Sequence, residues 1–141
     1  MDLRLFRIWG KSSEVLGNNI VKEIKSYKLS LDSFRILELL YSKGPHPVQK
    51  ISEKFSIPSG SITYVINKLE KQKLVVRRQN PEDGRESKVE LTAEGKARFD
   101  EIFPKHVEAI SDQFSVLSRQ EKEQLIELLK KVGLNAPRSD A

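Results

Sequence analysis

Residues 58–95, PSGSITYVINKLEKQKLVVRRQNPEDGRESKVELTAEG, change their apolar period twice, and that change decides the fold. From Pro58 to about Lys73, the residues Ile62, Val65, Ile66 and Leu69 recur at spacings of three and four. This predicts an amphipathic helix with one buried stripe, and Pro58 suits its first turn. Leu74, Val75, Val76, Arg77 and Arg78 then read as a strand, and Asn80, Pro81, Asp83 and Gly84 as turn formers. Lys88, Val89, Glu90 and Leu91 alternate strictly, so the segment from about 75 to 91 is expected to be a two-stranded hairpin with a loop of roughly eight residues. Thr92 is placed to cap a following helix, with Glu94 favouring the positive end of its dipole.

Upstream, Pro47 opens a short helix containing Val48, Ile51 and Phe55. It is expected to close at Ser56, because Pro58 disfavours helical geometry in the residue before it. A short helix, a tight turn and an amphipathic helix make a helix-turn-helix over about 48–71. Before it, Ser30 is an N-cap for a largely buried helix carrying Phe34, Leu37, Leu40 and Tyr41, which Gly44 and Pro45 end. Residues 3–28 carry Leu5, Ile8, Trp9, Leu16, Ile20 and Ile24 near helical spacing, as one helix or two joined near Gly17. After Thr92 come Phe99, Ile102, Phe103, Val107, Ile110 and Phe114 on a helix that Pro104 should kink. Ser118 to Glu121 form a capping box for a last helix with Leu125, Leu128, Leu129 and Val132, expected to end at Gly133. The tail from Asn135 is polar and expected to fray. The fold class is therefore mainly α with a small β-hairpin wing. One domain spans 1–141, with a winged helix-turn-helix over 31–91 flanked by dimerisation helices over 1–28 and 92–134.

Composition narrows the function. The 141 residues are 38% hydrophobic and 32% charged, with a net charge of +5 whose basic excess lies in the first two thirds of the chain. A polyanion suits such a surface. The apolar runs are far shorter than the ~20 residues a membrane helix needs, and Met1 leads into Asp2 and Arg4 instead of a signal-peptide core, so a cytoplasmic protein with no membrane partner is expected. There is no cysteine, which excludes disulfides, thiolate nucleophiles, Cys-ligated zinc and thiol redox sensing. The two histidines, His46 and His106, have no carboxylate at metal-ligand spacing and are expected on the surface or in loops. With no paired His and carboxylate and no Gly-rich phosphate loop, no catalytic residue, metal or cofactor is expected.

The major groove of DNA accepts one α-helix, whose dipole favours phosphate contacts near its N-terminus. Ser59, Ser61, Thr63, Tyr64, Asn67 and Lys68 occupy the free face of the helix from Pro58. Asn67 can pair with adenine, Thr63 and Tyr64 can touch thymine methyls or phosphates, and Lys68 can reach guanine or backbone oxygen. By itself this face fits a solvated polar surface as well as a DNA-reading one. The hairpin favours DNA: Arg85 at a wing tip can enter the minor groove, and Asp83 can hold its guanidinium in a fixed pose. A winged helix used only for protein contact would be expected to show an apolar recognition face and a short or acidic wing.

On these residues the chain resembles the MarR family of winged-helix regulators. The resemblance is carried by LDSFRILELL (31–40), ISEKF (51–55), SITYVINKLEKQKLV (61–75), DGR (83–85) and LTAEG (91–95). Most specific is the Asp-x-Arg wing followed by Leu-Thr-x-x-Gly. The resemblance implies sequence-specific DNA-binding transcriptional regulation by an obligate homodimer joined through its N- and C-terminal helices. It also implies, for many members, release of DNA when a small aromatic or phenolic effector binds between the dimer and DNA-binding parts. Thr63, Tyr64, Asn67 and Lys68 take the recognition-helix positions, and Asp83 and Arg85 the wing. Tyr64 stands where the family often has arginine, so base preference is open there.

The ends add a separate argument for dimerisation. Leu5, Phe6, Ile8 and Trp9, together with Leu125, Ile126, Leu128, Leu129 and Val132, offer more apolar surface than one winged helix covers. A two-fold dimer would bury both sets; a helical cap within one chain is the alternative. A dimer predicts an inverted-repeat operator with half-sites about one helical turn apart. Trp9, Tyr27, Tyr41 and Phe103 can line an effector pocket, although aromatics at helical spacing usually form core.

Overall fold

The computed structural model describes residues 1–79 and 87–137. Among these described residues, six helices and three short strands follow one another as α1 (Asp2–Lys25), α2 (Leu31–Lys43), β1 (His46–Pro47), α3 (Val48–Phe55), α4 (Ser59–Lys71), β2 (Val75–Gln79), β3 (Ser87–Leu91), α5 (Ala93–Gln113) and α6 (Arg119–Asn135). The core gathers around α2, which buries Phe34, Ile36, Leu37, Leu39 and Leu40 against Ile51 of α3, Ile62, Ile66 and Leu69 of α4, Val89 of β3, and Phe99 and Ile102 of α5. Ser30 caps α2 as the sequence predicts, its hydroxyl accepting the Ser33 N–H at 3.1 Å. At the other end Gly44 takes φ +86°, a conformation that glycine adopts without Cβ strain.

β2 and β3 pair antiparallel with Val75 opposite Leu91, Arg77 opposite Val89 and Gln79 opposite Ser87. The loop that would join them, with Asp83 and Arg85, lies outside the described residues. A third strand, β1, pairs His46 with Val89 and Pro47 with Lys88, so β3 is the centre of a three-stranded sheet where the sequence predicts a two-stranded hairpin. Two residues are too few to carry a β period, which is why the sequence does not announce this strand.

Of the two readings of the N-terminal stretch, the single helix holds, over 2–25 and across Gly17. α5 runs from 93 to 113 with Pro104 inside. Other expectations are corrected. α6 passes Gly133 and ends at Asn135, whose side-chain amide donates to the Lys131 carbonyl at 2.8 Å. His106 is a buried helix residue, 8% exposed, and it is paired with a carboxylate: its Nδ1 lies 2.9 Å from Oε2 of Glu23 on α1. The other Glu23 oxygen accepts the Tyr27 hydroxyl, and burial followed by that bond pushes the Tyr27 hydroxyl up to about 12. Eighty-three residues separate His106 from Glu23, so no local spacing could reveal the pair. It fastens α1 to α5, with the imidazole against the Phe34 ring at 4.6 Å between centroids. His46 lies on β1, its Nδ1 2.7 Å from the Gly44 carbonyl oxygen. Tyr41 and Phe103 join the aromatic core around Phe99, and Tyr27 packs at its edge, whereas Trp9 stays exposed.

Thr92 does more than cap α5. Its hydroxyl accepts the Gly95 N–H at 3.0 Å and donates to the Lys73 carbonyl at 2.6 Å, while its own N–H donates to the Leu74 carbonyl at 3.1 Å. One side chain thus ties the start of α5 to the segment leaving α4. Thr92→Ala removes a cap and an inter-element hydrogen bond together, and should cost about 2 kcal/mol in urea unfolding. An unchanged midpoint would show that neither bond contributes.

Candidate nucleic-acid interface

The burial pattern of α4 divides it as its sequence predicts. Ile62, Ile66 and Leu69 are fully buried and Val65 half-buried, while Ser59, Ser61, Thr63, Tyr64, Asn67 and Lys68 share the exposed side with Lys71. Tyr64 is 71% exposed, a high value for an aromatic ring with no structural duty in the core. The first turn of α4 has no side-chain cap and no acidic residue. The helix ladder begins with the Ile62 N–H donating to Pro58, so the N–H groups of Ser59, Gly60 and Ser61 are left over by the helix itself. An uncapped helix start of this kind attracts anionic oxygen. Beside it, Ser30, Asp32 and Ser33 at the start of α2 and Gly60, Ser61, Tyr64, Val65 and Lys68 of α4 line a cavity of about 450 Å³.

At its far end α4 stops with Lys73 at φ +63°, a left-handed position that glycine fills more easily. The Leu74 N–H reaches back to Leu69 at 3.0 Å, and the chain enters β2 directly. Alternation then decides which arginine faces α4. Val75 and Arg77 share one face, and Arg77 turns to α4, where its guanidinium donates to Glu70 and, at 2.9 Å, to the Asn67 carbonyl oxygen. Arg78 points the other way and pairs with Glu90 across the strands. Sequence reading alone passes over Arg77, since two adjacent arginines look equivalent until the register is known. The Asn67 contact also constrains that residue: pairing with adenine uses both amide atoms, and Arg77 already takes one of the two lone pairs of the oxygen and fixes which way it turns.

The residues expected to dimerise are all exposed. On α1 they are Leu5, Ile8 and Trp9, at 63%, 53% and 48%. On α6, which buries no residue, they are Leu125, Leu128, Leu129 and Val132. Among the described residues no helix is long and apolar enough to cross a membrane.

Comparison with known proteins gives concordant results. The sequence pattern described as "MarR family" matches residues 29–87, from the end of the turn before α2 to the start of β3. The chain is 40% identical over 135 residues to the HTH-type transcriptional regulator MhqR of Bacillus subtilis (strain 168), covering 96% of this chain and 93% of that protein. Among solved structures, Sco3205, a MarR family transcriptional regulator from Streptomyces coelicolor in complex with DNA, superposes with a TM-score of 0.81 at 20% identity, over 99% of this chain and 90% of the other. BpsR of Bordetella bronchiseptica, solved in work on regulation of its DNA binding by 6-hydroxynicotinic acid, gives 0.76 at 22% identity, over 92% and 98%. At these identities the two structures are similar to this chain in fold.

Proposed function

The chain belongs to the MarR family of transcriptional regulators, and from that premise we propose that it is a ligand-responsive repressor that binds an inverted-repeat operator in duplex DNA as a homodimer. The observation that carries this reading is α4 itself: an uncapped start, six exposed polar side chains on one face, and a wing strand leaving its end. Each protomer would lay α4 in a major groove, with Ser59 and Ser61 near phosphate and Thr63, Tyr64, Asn67 and Lys68 toward base edges. Asp83 and Arg85 would serve the adjacent minor groove. The polar face of α4 and the basic Arg85 of the wing argue against a winged helix used only for protein contact. The exposed apolar residues of α1 and α6 support the two-fold dimer, and the cytoplasm is where such a regulator meets its operator.

An aromatic effector has a candidate place. A cavity of about 290 Å³ opens between α2, α3 and α5, lined by Phe34, Phe55, Phe103, His106, Val107 and Ile110, with Arg35 and Glu38 at its polar side. It lies where the DNA-binding part meets the helices that lead to the dimer, so a ligand there could shift one against the other.

Binding to promoter fragments across a salt series tests the proposal. If the dimer neutralises about six phosphates, affinity should fall about a thousandfold between roughly 50 and 200 mM salt. No complex at low salt would end the DNA-binding reading. In the same assay Arg85→Ala should weaken binding by about 1–3 kcal/mol, and wild-type affinity would remove the wing assignment.

A further inference from the structure

We propose that Arg77 is a positioning residue for base readout, holding the Asn67 amide in one orientation so that α4 leads into the major groove with a hydrogen-bond donor at this position. The inference rests on the reading of α4 as the groove-facing helix and adds what one of its side chains selects.

The orientation follows from chemistry. A guanidinium carries five donors and no acceptor, so the Asn67 atom 2.9 Å from Arg77 Nη2 must be the carbonyl oxygen. The amide nitrogen then points away from Arg77, and among the described residues no hydrogen bond engages it. Arg77 is itself held twice over. Its backbone belongs to the β2–β3 ladder opposite Val89, and its other terminal nitrogen donates to Glu70. Asn67 and Glu70 are one turn apart on α4, so the two terminal nitrogens of the planar fork span two neighbouring positions of one helix. The side chains of Arg77 and Glu70 are only 26% and 33% exposed, which keeps solvent from loosening the fork as it does surface pairs.

The consequence for DNA is specific. Adenine is distinguished by an asparagine that donates to N7 and accepts from N6 together. With its oxygen drawn to Arg77 and one of its two lone pairs taken there, Asn67 leads into the groove with its amide N–H. That donor suits N7 of either purine and O4 of thymine, and it meets only another donor on the major-groove edge of cytosine. Wild type should therefore disfavour cytosine at one position of its site and draw little distinction between adenine and guanine there.

Selection from randomised duplexes by wild type, Asn67→Asp and Arg77→Met tests this, with circular dichroism melting to establish that each chain is folded. Asn67→Asp keeps an oxygen for Arg77 and replaces the outward donor by an acceptor. At that position it should come to favour cytosine by about tenfold, leaving the rest of the site unchanged. Arg77→Met frees the amide, and should gain about tenfold preference for adenine over guanine at the same position. Wild-type selectivity in Arg77→Met, or uniform weakening across all sequences in Asn67→Asp, would overturn the positioning role while leaving DNA binding intact. If Arg77→Met fails to fold, the Asn67→Asp profile decides alone. Should wild type enrich no sequence, the DNA-binding reading fails and this inference with it.

Discussion

Gly95→Ala is expected to destabilise the protein by about 3–5 kcal/mol, a fall in melting temperature of roughly 10 °C or more for a chain of this size. Helix propensity alone predicts the opposite sign, since alanine in a helix is favoured over glycine by about 1 kcal/mol. Close approach decides it. A Cβ on Gly95 would stand 3.0 Å from the Leu74 carbonyl carbon and closer still to its oxygen. Those are backbone atoms, and they are not free to move. The Leu74 carbonyl accepts the Thr92 N–H, the Lys73 carbonyl accepts the Thr92 hydroxyl, and the Leu74 N–H is bonded to Leu69 at the end of α4. Relief would require lifting the start of α5 off the junction where α4 passes into the wing. Gly60→Ala is the control, since nothing lies within 4 Å of its would-be Cβ and it sits in the first turn of α4. Calorimetry in which Gly95→Ala melts at or above wild type would remove this account of the junction.

That glycine illustrates what a sequence can and cannot disclose. Leu91 to Gly95 is legible as a family signature, yet the reason for its glycine is a contact with Leu74, twenty-one positions earlier, that exists only when β2 and β3 are paired. The stripe of Ile62, Ile66 and Leu69, the caps at Ser30, Thr92 and Ser118, and the exposed side of α4 were legible because each is a local pattern with a fixed period or offset. The strand at His46–Pro47, the Glu23–His106 pair and the Arg77–Asn67 contact were not, because each depends on where distant segments meet. Gly133 misled for a related reason. A glycine reads as a helix end, but α6 has a capping box at its start and carries the residue without strain, with open space where its Cβ would be.

Replacing Leu125 and Leu129 by glutamate is expected to convert a dimer to a monomer and to lower operator affinity by about two to four orders of magnitude. The two positions are four residues apart and so share one side of α6, which buries none of its residues within the chain. Their exposures, 37% and 46%, belong to a continuous set that includes Ile126, Leu128 and Val132. α1 presents a matching problem: it is roughly 36 Å long and only Ile24 of its residues is buried. A surface this apolar on two helices is more than a monomer ordinarily leaves in water. Two glutamates on that face would have to be desolvated without partners in the dimer, which opposes association strongly. Within the chain they would remain solvated, because the core around α2 takes nothing from α6. The winged helix should therefore stay folded, separating loss of assembly from loss of structure. The effect on DNA then follows from linkage. Two α4 helices joined in the proposed dimer would bind the second half-site as an intramolecular event, and a monomer would forfeit that effective concentration. Analytical ultracentrifugation with operator titration would read both steps. A variant that remains dimeric would refute the α6 interface. A monomer that still binds the full operator as tightly as wild type would refute the two-fold reader instead, leaving each α4 to act alone.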